Sequence, residues 1–114
     1  MNWYIAKINF QIRIDGFSDS QFDIQQRLLS ARDMETALQK AQALGRREET
    51  SFLNEKRENV DWKFVGVSEL IALPELHDGI ELFSSTVEAE DPEAFVHQIR
   101  RAEMSQQLAY SFQD

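Results

Sequence analysis

Histidine is the side chain readiest to move a proton near neutral pH, and this chain has two, His77 and His97. His77-Asp78 stands just before Gly79, in a turn signal. Sequence neighbours rarely converge on one metal ion, so the pair reads as an exposed turn and His97 as a helix surface or packing residue. The chain has no cysteine, which removes thiol nucleophiles, thiolate zinc sites and disulfide frameworks and suits a reducing compartment. Its four glycines, Gly16, Gly45, Gly66 and Gly79, are too far apart to cradle a phosphate, and no serine sits in a nucleophile-elbow context. The residues therefore indicate no catalytic set, no cofactor and no metal.

Carboxylates remain. Glu48 and Glu49 precede a polar stretch with Ser51, Asn54, Lys56 and Arg57. If that stretch folds over a sheet near Trp62, it forms a small polar pocket with an aromatic wall. The plainer reading is a solvated helix end with weak local ion pairs. Trp3 and Trp62 are read first as core or interface residues. Trp3, Glu48, Glu49, Asn54 and Trp62 are thus the candidate pocket or interface residues.

Charge is unevenly spread. The formal net charge is −8 over 114 residues, and beyond residue 59 the only basic groups are Lys63, Arg100 and Arg101. Such a half repels a phosphate backbone, so nucleic acid is not an expected partner. An acidic surface ordinarily keeps a small protein soluble. A sharper reading makes Glu88, Glu90, Asp91 and Glu93 a docking face for a basic protein. The first residues have no basic leader pattern, and no apolar run approaches about 18 residues, so the expectation is a cytoplasmic protein that does not span a membrane.

These residues need elements to hold them. From Tyr4 to Ile14 apolar and polar residues alternate, which predicts a long half-buried strand. Trp3 and Ile5 make its start apolar on both faces, and that start needs a cover from another element or another chain. Asp15-Gly16 predicts a turn, and a second strand follows with Phe22, Ile24 and Leu28 on one face and a bulge expected at Leu28-Leu29. Asp33 is a good N-cap for a helix carrying Met34, Ala37, Leu38, Ala41 and Leu44, with Gly45 as its expected stop or Arg46 to Glu49 as one further turn. Phe52 to Asn59 reads as a loop. A third strand is expected from Val60, with a bend or close approach at Gly66, running into Pro74. A fourth is expected over Ile80 to Val87. Asp91-Pro92 then opens a second helix, with Phe95, Val96, Ile99 and Ala102 on one stripe.

The order predicts an α+β two-layer sandwich, ββαββα: two hairpins joined by a helical crossover, with a helix packed on one face of a four-stranded, mostly antiparallel sheet. The division expected is a core domain over residues 1–91 and a C-terminal helix and tail over 92–114. Leu108, Tyr110 and Phe112 alternate with period two, so the tail is read as a short strand, a loose end or an oligomerisation arm.

Trp3-Tyr4-Ile5-Ala6-Lys7, the stretch from Ala37 to Gly45 with Glu48-Glu49, Ser51-Phe52-Leu53-Asn54, Val60-Asp61-Trp62-Lys63-Phe64-Val65-Gly66-Val67 and Asp78-Gly79-Ile80-Glu81 resemble the bacterial family known as domain of unknown function 4288. The resemblance covers about residues 3–85. Where it leads one to expect a glycine-containing turn after Asn54, this chain has Glu55-Lys56-Arg57-Glu58. The resemblance implies a small bacterial cytoplasmic domain and carries no activity.

Three functional classes follow. The first is a non-enzymatic interaction module that self-associates, as a homodimer. The second is an acidic, immunity- or antitoxin-like inhibitor of a basic partner. The third is a small-ligand binder or enzyme built on Glu48, Glu49, Asn54 and Trp62.

Overall fold

The computed structural model describes residues 1–111. The chain divides into two compact units, one covering Met1–Leu82 and the other beginning at Phe83.

The first unit is an antiparallel four-stranded sheet with one helix on it. Strands β1 (Asn2–Ile14) and β2 (Gln21–Ala31) form a hairpin, helix α1 (Met34–Arg47) crosses over, and strands β3 (Thr50–Leu53) and β4 (Asn59–Leu73) form a second hairpin. The sheet order is β2-β1-β4-β3, so the two long strands β1 and β4 lie side by side at its centre. This is the expected α+β class and element order.

Alternation along β1 decides which face is covered. Tyr4, Ala6, Ile8 and Phe10 are buried beneath α1 together with Leu29 and Ala31 of β2 and Ala37 and Ala41 of the helix. The helix starts as its sequence requires: the Asp33 carboxylate accepts the Thr36 amide proton at 2.7 Å. That bond satisfies one of the orphan donors of the first turn and holds the Asp33 carboxyl below the usual carboxylate range.

The helix does not stop at Gly45. Gly45 is buried inside the last turn of α1, and the ring of Phe64 on β4 occupies the place where a Cβ would be. The glycine is there for close approach between helix and sheet.

Three further expectations are corrected. No bulge interrupts β2: its pairing with β1 runs without a shift from Asn2↔Ala31 to Ile12↔Gln21. Leu28 and Leu29 are both apolar because Leu29 packs under the helix while Leu28 lies on the opposite face. The irregularities sit in β4, where Val65 and Ser68 are left out of the pairing with β1 on either side of Gly66 and Val67. Two bulges therefore flank Gly66 and Val67, and the close approach expected at Gly66 is absent, since nothing lies within 4 Å of where its Cβ would be.

The fourth strand is Thr50–Leu53, paired with Asn59 to Trp62, and not Ile80 to Val87, which has no strand assignment. The hairpin loop from Asn54 to Glu58 is closed by the Asn54 side chain. Its Oδ1 accepts from the Lys56 and Glu58 amides at 3.0 and 2.9 Å, and Arg57 takes a left-handed φ of 64°. That is the conformation a glycine adopts at no steric cost.

In the second unit, residues 83–91 are irregular and helix α2 spans Pro92–Ser111. Asp91 caps it, its carboxylate accepting from the Ala94 amide at 3.1 Å. Leu108 and Tyr110 are therefore helical and not part of a strand, while Phe112 lies outside the described residues. Phe95, Val96 and Ile99 are exposed. No helix among the described residues is long and apolar enough to cross a membrane.

Candidate functional site

The five candidate pocket residues are distributed as follows. Trp62 pairs with Ile12 and so shares the α1 face of the sheet; its ring centroid lies 6.1 Å from that of Phe10. Trp3, an odd-numbered residue of β1, lies on the opposite face, between Ser30 and Leu73. The two tryptophans do not share a site.

Glu48 follows the last turn of α1 and is held by Arg27 of β2 in a two-pronged ion pair, with both N···O distances at 3.0 Å. This hydrogen-bonded pairing lowers the Glu48 carboxyl below its ordinary value and raises the Arg27 guanidinium. The side chain is engaged in holding the helix end to an outer strand. Glu49, the residue before β3, is engaged too: its Oε2 accepts the Phe64 amide proton at 2.9 Å. It carries the edge ladder of β4 one step past the backbone pairing. Asn54 is occupied in its own loop. Glu48, Glu49 and Asn54 thus each serve local structure and are not brought together around a common space.

A second small polar cluster lies on β3 and β4. Ser51 Oγ donates to Asp61 Oδ1 at 2.6 Å and Asn59 Nδ2 donates to the same oxygen at 3.1 Å. These bonds hold the Asp61 carboxyl below the usual range. Among the described residues no group of three or more histidine, aspartate or glutamate side chains is placed to hold a metal ion. His77 is exposed in the turn before Gly79, its Nδ1 3.0 Å from the Asp78 carbonyl oxygen.

What does converge is an apolar surface. The sheet face opposite α1 carries Trp3 and Ile5 of β1, Phe22, Ile24 and Leu28 of β2, and Val65, Ile71 and Leu73 of β4, crossed by a polar stripe of Gln26, Lys7 and Glu69. Ile5 is buried, flanked by Leu28 and Ile71. On the outer strand β2, however, Phe22 and Ile24 are each 60% exposed and Leu28 is 49% exposed. Of the polar residues of β2, Asp23, Gln25 and Arg27 line the α1 side, linked by Gln25 Nε2 to Asp23 at 2.7 Å and by Arg27 to Gln25 at 2.8 Å, while Gln26 shares the open face.

The sequence pattern of β2 by itself does not say which strand lies beside it. The signal for this surface is that the apolar positions of β2 fall opposite Trp3 to Gln11, the odd series of β1, and not opposite its buried even series. Only the hairpin register reveals it.

The acidic candidates are all in the second unit. Glu88 and Glu90 lie in the irregular segment, Asp91 is the helix cap and Glu93 stands in the first turn of α2; all four are exposed. Acidic groups at that end favour the helix dipole, which gives them a local structural role.

Fold and surface together define a small α+β domain with one helix-covered sheet face and one open face that carries exposed apolar patches. The chain belongs to the family Domain of unknown function (DUF4288), whose model matches residues 3–84. Searches of curated proteins and of solved structures found no match.

Proposed function

We propose that this chain is a non-enzymatic protein-interaction module that self-associates through the sheet of its first unit. The supporting observation is Phe22, Ile24 and Leu28, three large apolar side chains left 49–60% exposed on an outer strand. A scattered exposed leucine is ordinary, but Phe22 and Ile24 beside Val65, and Leu28 beside Trp3 and Ile71 across the polar stripe of Gln26, Lys7 and Glu69, form apolar patches on one face of the kind that mark an interaction surface. Covering it removes apolar area from water at roughly 25 cal/mol per Å². Glu48, Glu49 and Asn54 are each committed to a structural bond, which removes support from a ligand-binding or enzymatic role for that set. The test is the mass of the purified chain in solution as a function of concentration. Reversible dimerisation supports the reading, and a monomer throughout rejects it.

A further inference from the structure

We propose that two copies of this chain pair antiparallel along the free edge of β2, joining two four-stranded sheets into one of eight strands. The proposal rests on the self-association reading and names the surface that carries it.

The two edges of the sheet differ. β3 is an edge of four residues, with the Glu49 side chain occupying the next position on its partner strand. β2 is an edge of eleven residues, Gln21–Ala31, without proline, glycine or lysine. Strand edges in soluble proteins are normally kept short, charged or interrupted because their unpaired N–H and C=O groups template further pairing. β2 is long and uninterrupted, and its two charges, Asp23 and Arg27, both lie on the α1 side.

The backbone shows which groups are available. The Asp15 amide donates to the Asn59 carbonyl at 3.0 Å, so the odd-numbered residues of β1 direct their hydrogen bonds toward β4. Its even-numbered residues then serve β2, where they meet the odd positions in an unbroken register. The even residues of β2, namely Phe22, Ile24, Gln26 and Leu28, point their N–H and C=O groups outward. The next in that series, Ser30, confirms the direction: its carbonyl receives the Lys40 ammonium at 2.9 Å. Lys40 therefore closes the edge at Ser30 and leaves Phe22 to Leu28 open, with Gln25 at the centre.

That open run is self-complementary. A twofold axis through Gln25 sets Phe22 against Leu28 of the second copy, Ile24 against Gln26, and Asp23 against Arg27. Each of these pairs occurs twice. On the open face Phe22 meets Leu28 as an apolar pair and Ile24 meets the Gln26 side chain, opposite charges meet on the α1 face, and no like charges oppose one another. Arg27 can take the additional carboxylate, because its bonds to Glu48 and Gln25 leave part of its five-donor guanidinium unused. Symmetry of this kind is what a closed dimer interface demands of one surface patch.

The experiment is sedimentation equilibrium on the full chain and on two variants, with crosslinking beside it. In Gln26→Pro the lost N–H faces outward, so the ladder to β1 is kept while pairing to a second copy is blocked. Asp23→Lys sets lysine against Arg27 of the second copy. Both are expected to raise the dimer dissociation constant at least tenfold with unchanged circular dichroism; should proline unfold the strand, Asp23→Lys alone decides. Because the chain has no cysteine, Gln25→Cys reports the axis directly: mild oxidation should give a covalent dimer much faster than Lys56→Cys in the far hairpin loop. A wild-type dimer that both variants leave intact, with no preferential crosslink at position 25, overturns the edge pairing and leaves self-association standing. A wild-type monomer at every concentration overturns both, and is the result if the edge takes a strand from a different protein.

Discussion

The ring of Phe64 lies where the Cβ of residue 45 would be if Gly45 were any other amino acid. The ring is held on its other sides, with its centroid 6.1 Å from that of Phe10 and 5.9 Å from the Arg46 guanidinium carbon. The contact fixes how closely the last turn of α1 approaches β4. From there Glu48 reaches Arg27 on β2 and Glu49 reaches the Phe64 amide. One glycine thus sets the distance across which two strands, β2 and β4, are tied to the helix end.

Gly45→Ala follows from that contact. In an exposed helix the change would stabilise by about 1 kcal/mol. Here the added methyl overlaps an aromatic ring near its root, and overpacking of this kind costs about 1–3 kcal/mol. The expected net effect is destabilisation, with Tm falling by several degrees in a thermal melt. A rise in Tm would mean that Phe64 can move aside freely.

The Arg27–Glu48 pair should give the fold a modest acid sensitivity. Hydrogen bonding to Arg27, reinforced by the charges of Arg27 and Arg47, lowers the Glu48 carboxyl in the folded state. A group lowered on folding contributes stability that is complete above its unfolded value, near pH 4.3, and is lost as pH falls through its folded value. Both partners are about a third exposed, at 35 and 36%, so solvent screening keeps the contribution under about 1 kcal/mol. Melts of the wild type should therefore weaken below about pH 4 more steeply than those of Glu48→Gln. Parallel curves would show that the pair contributes nothing.

Arg57 is the chain's non-glycine residue at positive φ among those described, at 64°. Such a conformation costs a side-chain-bearing residue about 1 kcal/mol or more. Arg57→Gly should relieve it, offset in part by the greater freedom of glycine in the unfolded chain. The expected outcome is unchanged or slightly raised stability in urea unfolding. A clear loss would assign the Arg57 side chain a contact that outweighs the strain.

Strand β1 and the starts of both helices were legible because each carries its own local signal: a period-two run, Asp33 before an apolar helical stripe, and Asp91 before Pro92. The pairing of the second hairpin was not. Thr50–Leu53 is four residues long and half polar, and it becomes a strand because β4 lies beside it to complete its ladder. Ile80 to Val87 has the apolar content of a strand, yet composition without a neighbouring strand makes no ladder. The period-two pattern at Leu108 and Tyr110 was too short to outweigh the helix already running through it. The pocket around Glu48, Glu49, Asn54 and Trp62 depended on residues 50–58 lying over the sheet. They instead form its edge and the adjoining hairpin loop, which commits Asn54 to that loop. The apolar edge at Phe22, Ile24 and Leu28 was visible as a pattern, but its exposure depends on which face α1 covers, and a single strand does not contain that.

The most direct test of this account is light-scattering mass measurement on the wild-type chain from low micromolar to millimolar concentration. The account predicts a reversible rise from the mass of one chain to twice that mass, and its loss in Gln26→Pro. A single-chain mass across the whole range would contradict it.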